Sequence, residues 1–480
     1  MSRIEFHIDG RPVQAEDGQT VMQAARAHGA FIPAFCWHPQ LSVPGNCRIC
    51  TVEVEAEGGG WLDIACNMPV SKGLRVLTDS PKVRERRKET LQFITLNHPV
   101  DCGICDKAGE CTLQDYHYAY NGAPSISRDA KVRSTKHHPL SSRIVLDNER
   151  CILCTRCVRF TREVSKSQAL GVQHRGDASL IRAVEDGAFE DDPYSDNVID
   201  ICPVGALLSR AFLHKARVWY LEPTPSVCPG CERGCSIDLW HRRGSWQLKA
   251  LDPRQNARID RVTPRENPVV NGPWICNKAR DLARHFDRPR ATQALLKGRP
   301  VDTAAAVAAA REAIATARRP VALVSSWASN EELAAFDATL GPHLACYVKV
   351  DMAPAPGERL EDDLLIRPDK NPNGAAARAR FAPLPADPDE AFAPDCDLVL
   401  VWGEGFAFGR LPPGARIVYL DSWLQPENGH ADVFLPISPM TERSGHYTNF
   451  QGTVSAFEAC FARPPGVLDA EALFGALARP

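Results

Sequence analysis

Fifteen of the eighteen cysteines in this 480-residue sequence lie before residue 280, and with one histidine they form four groups of metal-ligand spacing. The densest comprises His98, Cys102, Cys105 and Cys111, spaced H-x3-C-x2-C-x5-C. Three thiols and one imidazole suit zinc or an iron–sulfur cluster and serve hard, oxygen-loving ions poorly. Taken alone, that stretch leaves the choice open. Upstream, Cys36, Cys47, Cys50 and Cys66 are spaced C-x10-C-x2-C-x15-C. This is a variant of the plant-type [2Fe–2S] pattern, a tight C-x2-C pair with one cysteine before it and a remote one after. Downstream, Cys151, Cys154 and Cys157 are followed by a distant Cys202-Pro203, the bacterial ferredoxin arrangement for [4Fe–4S]. The motif occurs once, so the quartet is expected to hold one cluster. Arg156 and Arg159 beside it would favour the reduced, more negative cluster. The last group, Cys228, Cys231, Cys235 and Cys276, fits a [4Fe–4S] cluster or a structural zinc ribbon, and its neighbours favour the cluster. His98 as fourth ligand would remove negative charge from its cluster and raise the potential.

Composition excludes several other functions. A net charge of −3 gives no support to nucleic-acid binding. No stretch approaches about 18 uninterrupted apolar residues, so no membrane span is expected. The start, MSRIEFHIDG, lacks the apolar region of a secretory signal, and a disulfide scaffold would be a short exported chain.

The elements that must position these ligands are partly visible. Residues 3–8 alternate as a half-buried strand, Asp9-Gly10 reads as a hairpin turn, and Arg11–Ala15 as the returning strand. Thr20 to Gln23 fits a capping box opening a helix that Gly29 ends, and Thr51–Glu55 reads as a strand. Ser80-Pro81 begins a helix through about Leu96, with Val83, Leu91 and Ile94 toward a core. Its basic run, Lys82, Arg84, Arg86, Arg87 and Lys88, reads as a solvated face. Residues 119–149 look like a connector, and Glu185–Asp192 like a solvated acidic insertion. Beyond about residue 285, helices at Thr303–Ala317 and near Asn330 alternate with strands at Pro320–Ser326, Cys346–Val350, Asp397–Trp402 and Arg416–Leu420. That alternation predicts a doubly wound α/β domain, with Gly403-Glu-Gly405 as a plain turn. Cys346, Cys396 and Cys460 read as buried structural thiols.

The order of the four groups resembles the large iron–sulfur subunit family of bacterial NADH–quinone oxidoreductase, respiratory complex I. The likeness runs from residue 3 to about 280, with HPVDCGICDKAGECTLQDY as its most specific stretch. His430-Ala-Asp-Val-Phe-Leu-Pro and Thr441-Glu-Arg-Ser-Gly-His-Tyr-Thr-Asn-Phe-Gln-Gly resemble the family's molybdopterin-oxidoreductase-like part. The resemblance implies a multidomain α+β and α/β chain. Residues 1–80 would be a [2Fe–2S] ferredoxin-like (β-grasp) domain. Residues 81–120 would be a [4Fe–4S] domain with one histidine and three cysteine ligands, and 140–218 a [4Fe–4S] ferredoxin-like domain. Residues 221–280 would be a [4Fe–4S] domain of the molybdopterin-oxidoreductase N-terminal type. Residues 285–480 would be a shortened molybdopterin-oxidoreductase-like α/β domain without cofactor, since members commonly carry a much longer region there.

By that resemblance the first quartet holds one [2Fe–2S] cluster and the other three hold [4Fe–4S] clusters, the last of them off the main electron path. Electrons would come from a flavin- and NADH-binding partner, enter at the Cys36 group, pass to the Cys151 group and then the His98 group, and leave to a ferredoxin-like [4Fe–4S] subunit. The chain would sit among other peripheral-arm subunits on the cytoplasmic side of the inner membrane, held there by partners. It would relay electrons without a catalytic residue of its own, and no G-x-G-x-x-G fingerprint for nicotinamide or flavin appears at a strand–helix junction. The alternatives are the catalytic subunit of an NAD-linked molybdenum formate dehydrogenase, an electron-transfer subunit of a hydrogenase-linked complex, and a zinc-stapled scaffold. The first would need a metal-ligating cysteine or selenocysteine in a full molybdopterin domain, which the three late cysteines do not supply convincingly.

Overall fold

The computed structural model describes residues 3–246, 256–387 and 390–478. They form two compact units, Met1–Trp219 and Tyr220–Pro480.

In the first unit, β1 (Arg3–Ile8) and β2 (Arg11–Glu16) pair antiparallel around Asp9-Gly10, whose φ values of 49° and 74° are those a two-residue hairpin turn requires. Helix α1 (Val21–Ala27) opens with the expected reciprocal cap. The Gln23 N–H donates to Thr20 Oγ1 at 3.3 Å and the Thr20 N–H to Gln23 Oε1 at 2.8 Å. Strands β3 (Thr51–Val54), β4 (Trp61–Ile64) and β5 (Arg75–Leu77) complete a five-stranded sheet ordered β2-β1-β5-β3-β4. Phe6, Val21, Val52 and Val76 are buried beneath it, each worth about 1.5–3 kcal/mol. Cys50 and Cys66 belong to the same core, which fixes the first ligand loop to the sheet.

Helix α2 (Pro81–Asn97) starts where Ser80 accepts the Val83 N–H, with proline in its first turn. Val83 and Leu91 are fully buried, whereas Ile94 is only partly so. The basic run is not wholly a solvated face: Arg87 is 1% exposed, donates to the Thr51 carbonyl at 3.1 Å and lies over the Tyr120 ring. Positions 83, 87 and 91 share one helical stripe, so the arginine follows its apolar neighbours into the interior.

After the short α3 (Thr112–Tyr116), the connector carries structure of its own. Strands β6 (His138–Pro139) and β7 (Ile144–Leu146) lie in it, and β7 is buried. Next come α4 (Arg156–Glu163), the hairpin β8 (Leu170–Gln173) and β9 (Leu180–Ala183), α5 (Asn197–Ile201), and β10 (Leu207–Ser209), which pairs with β7. The acidic insertion is not wholly solvated either. Phe189 is buried, and Asp192 accepts from the hydroxyls of Ser165 at 2.6 Å and Ser167 at 2.7 Å.

In the second unit, β11 (Leu221–Val227), β12 (Ser236–Arg242) and β13 (Ile259–Pro264) form an antiparallel sheet, followed by α6 (Asn277–Phe286). An eight-stranded sheet follows. Its antiparallel edge is β14 (Ala294–Leu296) and β15 (Arg299–Val301); its parallel strands are β16 (Pro320–Val324), β17 (Ala345–Val348), β18 (Ala382–Pro383), β19 (Leu398–Trp402), β20 (Arg416–Asp421) and β21 (Val433–Pro436). The parallel order β18-β17-β16-β19-β20-β21 reverses direction at β16, the doubly wound pattern expected from the alternation. Helices α7 (Thr303–Thr316) and α8 (Asn330–Thr339) pack on this sheet, and Ser329 with Glu332 caps α8 reciprocally.

A crevice at the strand C-termini is lined by Trp327, Trp402, Glu404, Asp421 and Arg443. Charge pairs within the domain neutralise much of it: Lys349 with Asp351, Arg288 with Glu404 at 2.8 Å, and Arg443 with Glu332. The Gly403-Glu-Gly405 turn packs so tightly that a Cβ at Gly405 would overlap the Asp351 carbonyl. Of the late cysteines only Cys396 is buried; Cys346 and Cys460 are partly exposed. No helix among the described residues is long and apolar enough to cross a membrane.

Candidate metal centres

The cysteines of each sequence group lie near one another in the structure. In the first, Cys36, Cys50 and Cys66 are almost fully buried and Cys47 partly so. The Cys47 thiol donates to Cys36; burial opposes, but backbone N–H groups and the charge of Arg159 help hold Cys36 down to about 6. Cys47 and Cys50, as thiol donors to Cys36 and Cys66 in buried positions, are pushed up. The sulfurs thus gather beside the five-stranded sheet. Arg48, inside the Cys47–Cys50 pair, has a φ of 58°.

The second group hangs from the end of α2, where His98 is the C-terminal cap. Burial holds this imidazole down to about 4, so at neutral pH it presents the uncharged form that ligates metals. The Val100 N–H lies 3.2 Å from its Nδ1. Cys105 and Cys111 are buried, which pushes both up, with Cys102 adding to Cys105 and Cys105 adding to Cys111. His98 and Cys105 share Asp101 and Arg150 as charged neighbours. Arg217 donates to the carbonyls of Gly103 and Cys105, fixing the loop from outside.

In the third group, Cys151, Cys154, Cys157 and Cys202 line one small cavity, with apolar side chains such as Leu146, Ile181, Val204 and Leu207 and with Thr155 and Arg156 completing its wall. Burial pushes Cys151 up to about 12 and Cys154 to about 11, and holds Cys157 well above an ordinary thiol, with the neighbouring sulfurs adding to each. Cys151, Cys154 and Cys157 therefore resist ionising unless a cation takes up the charge, and a coordinated thiol loses its proton outright. Leu153 and Thr155 adopt φ of 52° and 58°, and the Leu153 N–H points at Cys151 Sγ at 3.4 Å. Branched residues in the left-handed region are costly, and their concentration in ligand loops marks a functional constraint.

The fourth group lies in the second unit. The β11–β12 loop carries Cys228, Cys231 and Cys235, closed by a Cys228 N–H to Cys235 carbonyl bond of 2.8 Å, while Cys276 caps α6. Burial pushes Cys228 and Cys235 far up and Cys276 to about 11, and each feels the other sulfurs. Among the described residues no three or more His, Cys, Asp or Glu side chains are gathered as ligands of a single metal ion.

Contacts that sequence reading missed join the first three groups. Arg159, 4% exposed, donates to the carbonyls of Cys36 at 2.5 Å and Cys154 at 3.2 Å. Arg156 donates to the carbonyls of Trp37 at 2.6 Å and Ile201 at 3.1 Å. Arg150, which precedes Cys151, makes a two-pronged ion pair with Asp101, which precedes Cys102, at 2.9 and 2.6 Å. The turn after Cys202 reaches the second group: the Pro203 carbonyl accepts the Thr112 N–H at 3.0 Å, and Gly205 lies against Cys105 Sγ. Tyr116, five residues past Cys111, accepts the Ala34 N–H at 3.1 Å and packs on Phe35.

Comparison with known proteins follows the same divisions. Residues 1–81 match a 2Fe-2S iron-sulfur cluster binding domain, and 87–123 the NADH-ubiquinone oxidoreductase-G iron-sulfur binding region. Residues 141–208 match the ferredoxin-like domain of NADH-quinone oxidoreductase subunit 3, and 221–288 a molybdopterin oxidoreductase Fe4S4 domain. The mitochondrial NADH dehydrogenase [ubiquinone] iron-sulfur protein 1 of Solanum tuberosum is 38% identical over 295 residues, 62% of this chain and 38% of that protein. The NADH-quinone oxidoreductase G subunit of Rickettsia felis is 36% identical over 277 residues, 58% of this chain and 39% of its own length. Among solved structures, a chain of an NAD+-reducing [NiFe]-hydrogenase in the H2-reduced state aligns with a TM-score of 0.40 at 32% identity, over 45% of this chain and 91% of that one. The chain spans about two fifths of the length of the curated relatives it matches. Within residues 1–288 it matches 2Fe-2S and 4Fe-4S binding domains, and over somewhat more than half its length it is similar to the NADH-quinone oxidoreductase G subunit.

Proposed function

We propose that this chain is an electron-relay component of an NADH–quinone oxidoreductase. One [2Fe–2S] cluster would be held by Cys36, Cys47, Cys50 and Cys66. Three [4Fe–4S] clusters would be held by His98 with Cys102, Cys105 and Cys111; by Cys151, Cys154, Cys157 and Cys202; and by Cys228, Cys231, Cys235 and Cys276. When bound, such clusters supply reversible one-electron storage. The protein's part is to space the ligand loops, keep water from the sulfurs and set the local charge.

The observation that carries this reading is the strapping of the first three groups. The Cys151 loop touches the Cys36 loop through Arg156 and Arg159, and the His98 loop through the Arg150–Asp101 pair and the turn after Cys202. It therefore touches both of the groups that flank one another in sequence, and such contacts support a relay from the Cys36 group through the Cys151 group to the His98 group. The partners proposed on this reading are a flavin- and NADH-binding subunit on the donor side and a ferredoxin-like [4Fe–4S] subunit on the acceptor side. They would hold the chain peripherally at the cytoplasmic face of the membrane.

Metal analysis of the anaerobically purified chain tests the proposal. Four filled sites give about 14 iron atoms and no molybdenum, with long-wavelength absorbance that dithionite bleaches. About 10 iron atoms with one zinc would make the Cys228 group a structural zinc site. Colourless zinc protein, or stoichiometric molybdenum, would overturn the relay reading.

A further inference from the structure

Arg159 makes a contact that a residue serving one cluster would not need. It lies on α4, two residues past Cys157, and is 4% exposed. Its Nη2 donates to the carbonyl of Cys36 and to that of Cys154, ligands from two different quartets. Its Nη1 donates to the Ser42 carbonyl beyond Cys36, and its Nε to Thr155 Oγ1 at 3.3 Å. A planar guanidinium can satisfy this fan of acceptors, whereas a lysine ammonium has no second arm with which to span them.

We infer that Arg159 is a positioning residue shared by two redox centres, bridging the backbone of Cys36 to that of Cys154 and placing one buried positive charge beside both. The inference rests on the cluster assignments proposed above. Two consequences separate it from a simple structural role. The charge stabilises the more reduced, more negative state of either centre, so it raises both potentials together. The bridge also fixes the separation of the two ligand loops, because a single nitrogen holds one carbonyl from each.

The test uses the full chain with its clusters, Arg159→Gln and Arg159→Lys, and redox titrations followed by electron paramagnetic resonance. In Arg159→Gln, at a fixed poise, the reduced-to-oxidised ratio of both the two-iron and the Cys151-group four-iron centre should fall at least about threefold. For one electron that is about 28 mV, at 59 mV per tenfold. Arg159→Lys, which keeps the charge, should shift both potentials less than Arg159→Gln does. It should still weaken the magnetic interaction between the two reduced centres, since the span is lost. A shift confined to one centre, or equal shifts in the two variants, would overturn the inference. If Arg159→Gln loses its iron, Arg159→Lys decides: an unchanged magnetic interaction refutes the bridge and a weakened one supports it. Absence of either iron signal from the unsubstituted chain would instead refute the cluster assignments.

Discussion

Gly205 offers a sharp test of how the second ligand group is built. Its φ lies outside the left-handed region, so alanine is permitted by the backbone and the only change is one methyl group. That methyl would overlap Cys105 Sγ and stand 3.2 Å from Cβ of Lys107. Ordinary carbon contacts lie near 3.5–4.0 Å, so the sulfur or the turn must retreat by more than about 1 Å. Metal–ligand distances hold to about 0.2 Å, far less than that displacement. Overpacking of this kind also costs roughly 1–3 kcal/mol. Gly205→Ala should therefore lose the His98-group cluster, taking iron from about 14 to about 10 atoms per chain while the other iron signals persist. Gly103→Ala is the matched control, since a Cβ at Gly103, inside the same ligand loop, meets nothing within 4 Å. Full iron with an unchanged paramagnetic signature in Gly205→Ala would show that Cys105 does not serve as a ligand where it stands.

Two further outcomes are expected. Arg150→Met removes the two-pronged partner of Asp101 and leaves Asp101 and the buried Asp147 to Lys136, 3.5 and 2.9 Å away, so it should cost about 1.5–3 kcal/mol in urea unfolding of the first unit; a loss below about 0.5 kcal/mol would contradict the pair's structural role. In the second unit, burial, with the charge of Glu404 adding, pushes the Asp421 carboxyl up to about 6. The folded state then holds a proton that an unfolded carboxyl near 3.9 has released, so this contribution, about 3 kcal/mol, is present below pH 4 and is lost as pH rises through 6. Asp421→Asn should flatten the fall in stability between pH 4.5 and 7.5, and an unaltered difference would refute the assignment.

Features governed by near neighbours were legible in the sequence. The Asp9-Gly10 hairpin, the Thr20–Gln23 box and the Ser80-Pro81 start depend on residues within one turn, and each appears where the local chemistry puts it. Four of the six parallel strands of the second unit, Pro320–Val324, Ala345–Val348, Leu398–Trp402 and Arg416–Asp421, followed from apolar runs alternating with helical segments, whereas Ala382–Pro383 and Val433–Pro436 did not. Ligand spacing kept neighbouring cysteines of each group on one short stretch of chain. What escaped was charge acting at long range. Arg87 looked like part of a solvated run until Thr51, 36 residues earlier, claimed it. Asp192 looked like loop acid, yet it accepts the hydroxyls of Ser165 and Ser167. Arg159 reads as a neighbour of Cys157, and nothing local shows that its partners include a carbonyl 123 residues upstream.

That sequence separation has a consequence for how the chain is made. The Cys36 loop leaves the ribosome long before the arginine that ties it down, and at roughly 5–20 residues per second the wait is about 6–25 seconds. During that interval the loop can fold onto its own sheet, because Cys50 and Cys66 already belong to that core. Its outer half, from Cys36 to Ser42, gains the Arg159 bonds only when α4 emerges. The backbone contacts that join the Cys36 loop to the Cys151 group are therefore completed only after synthesis has passed α4.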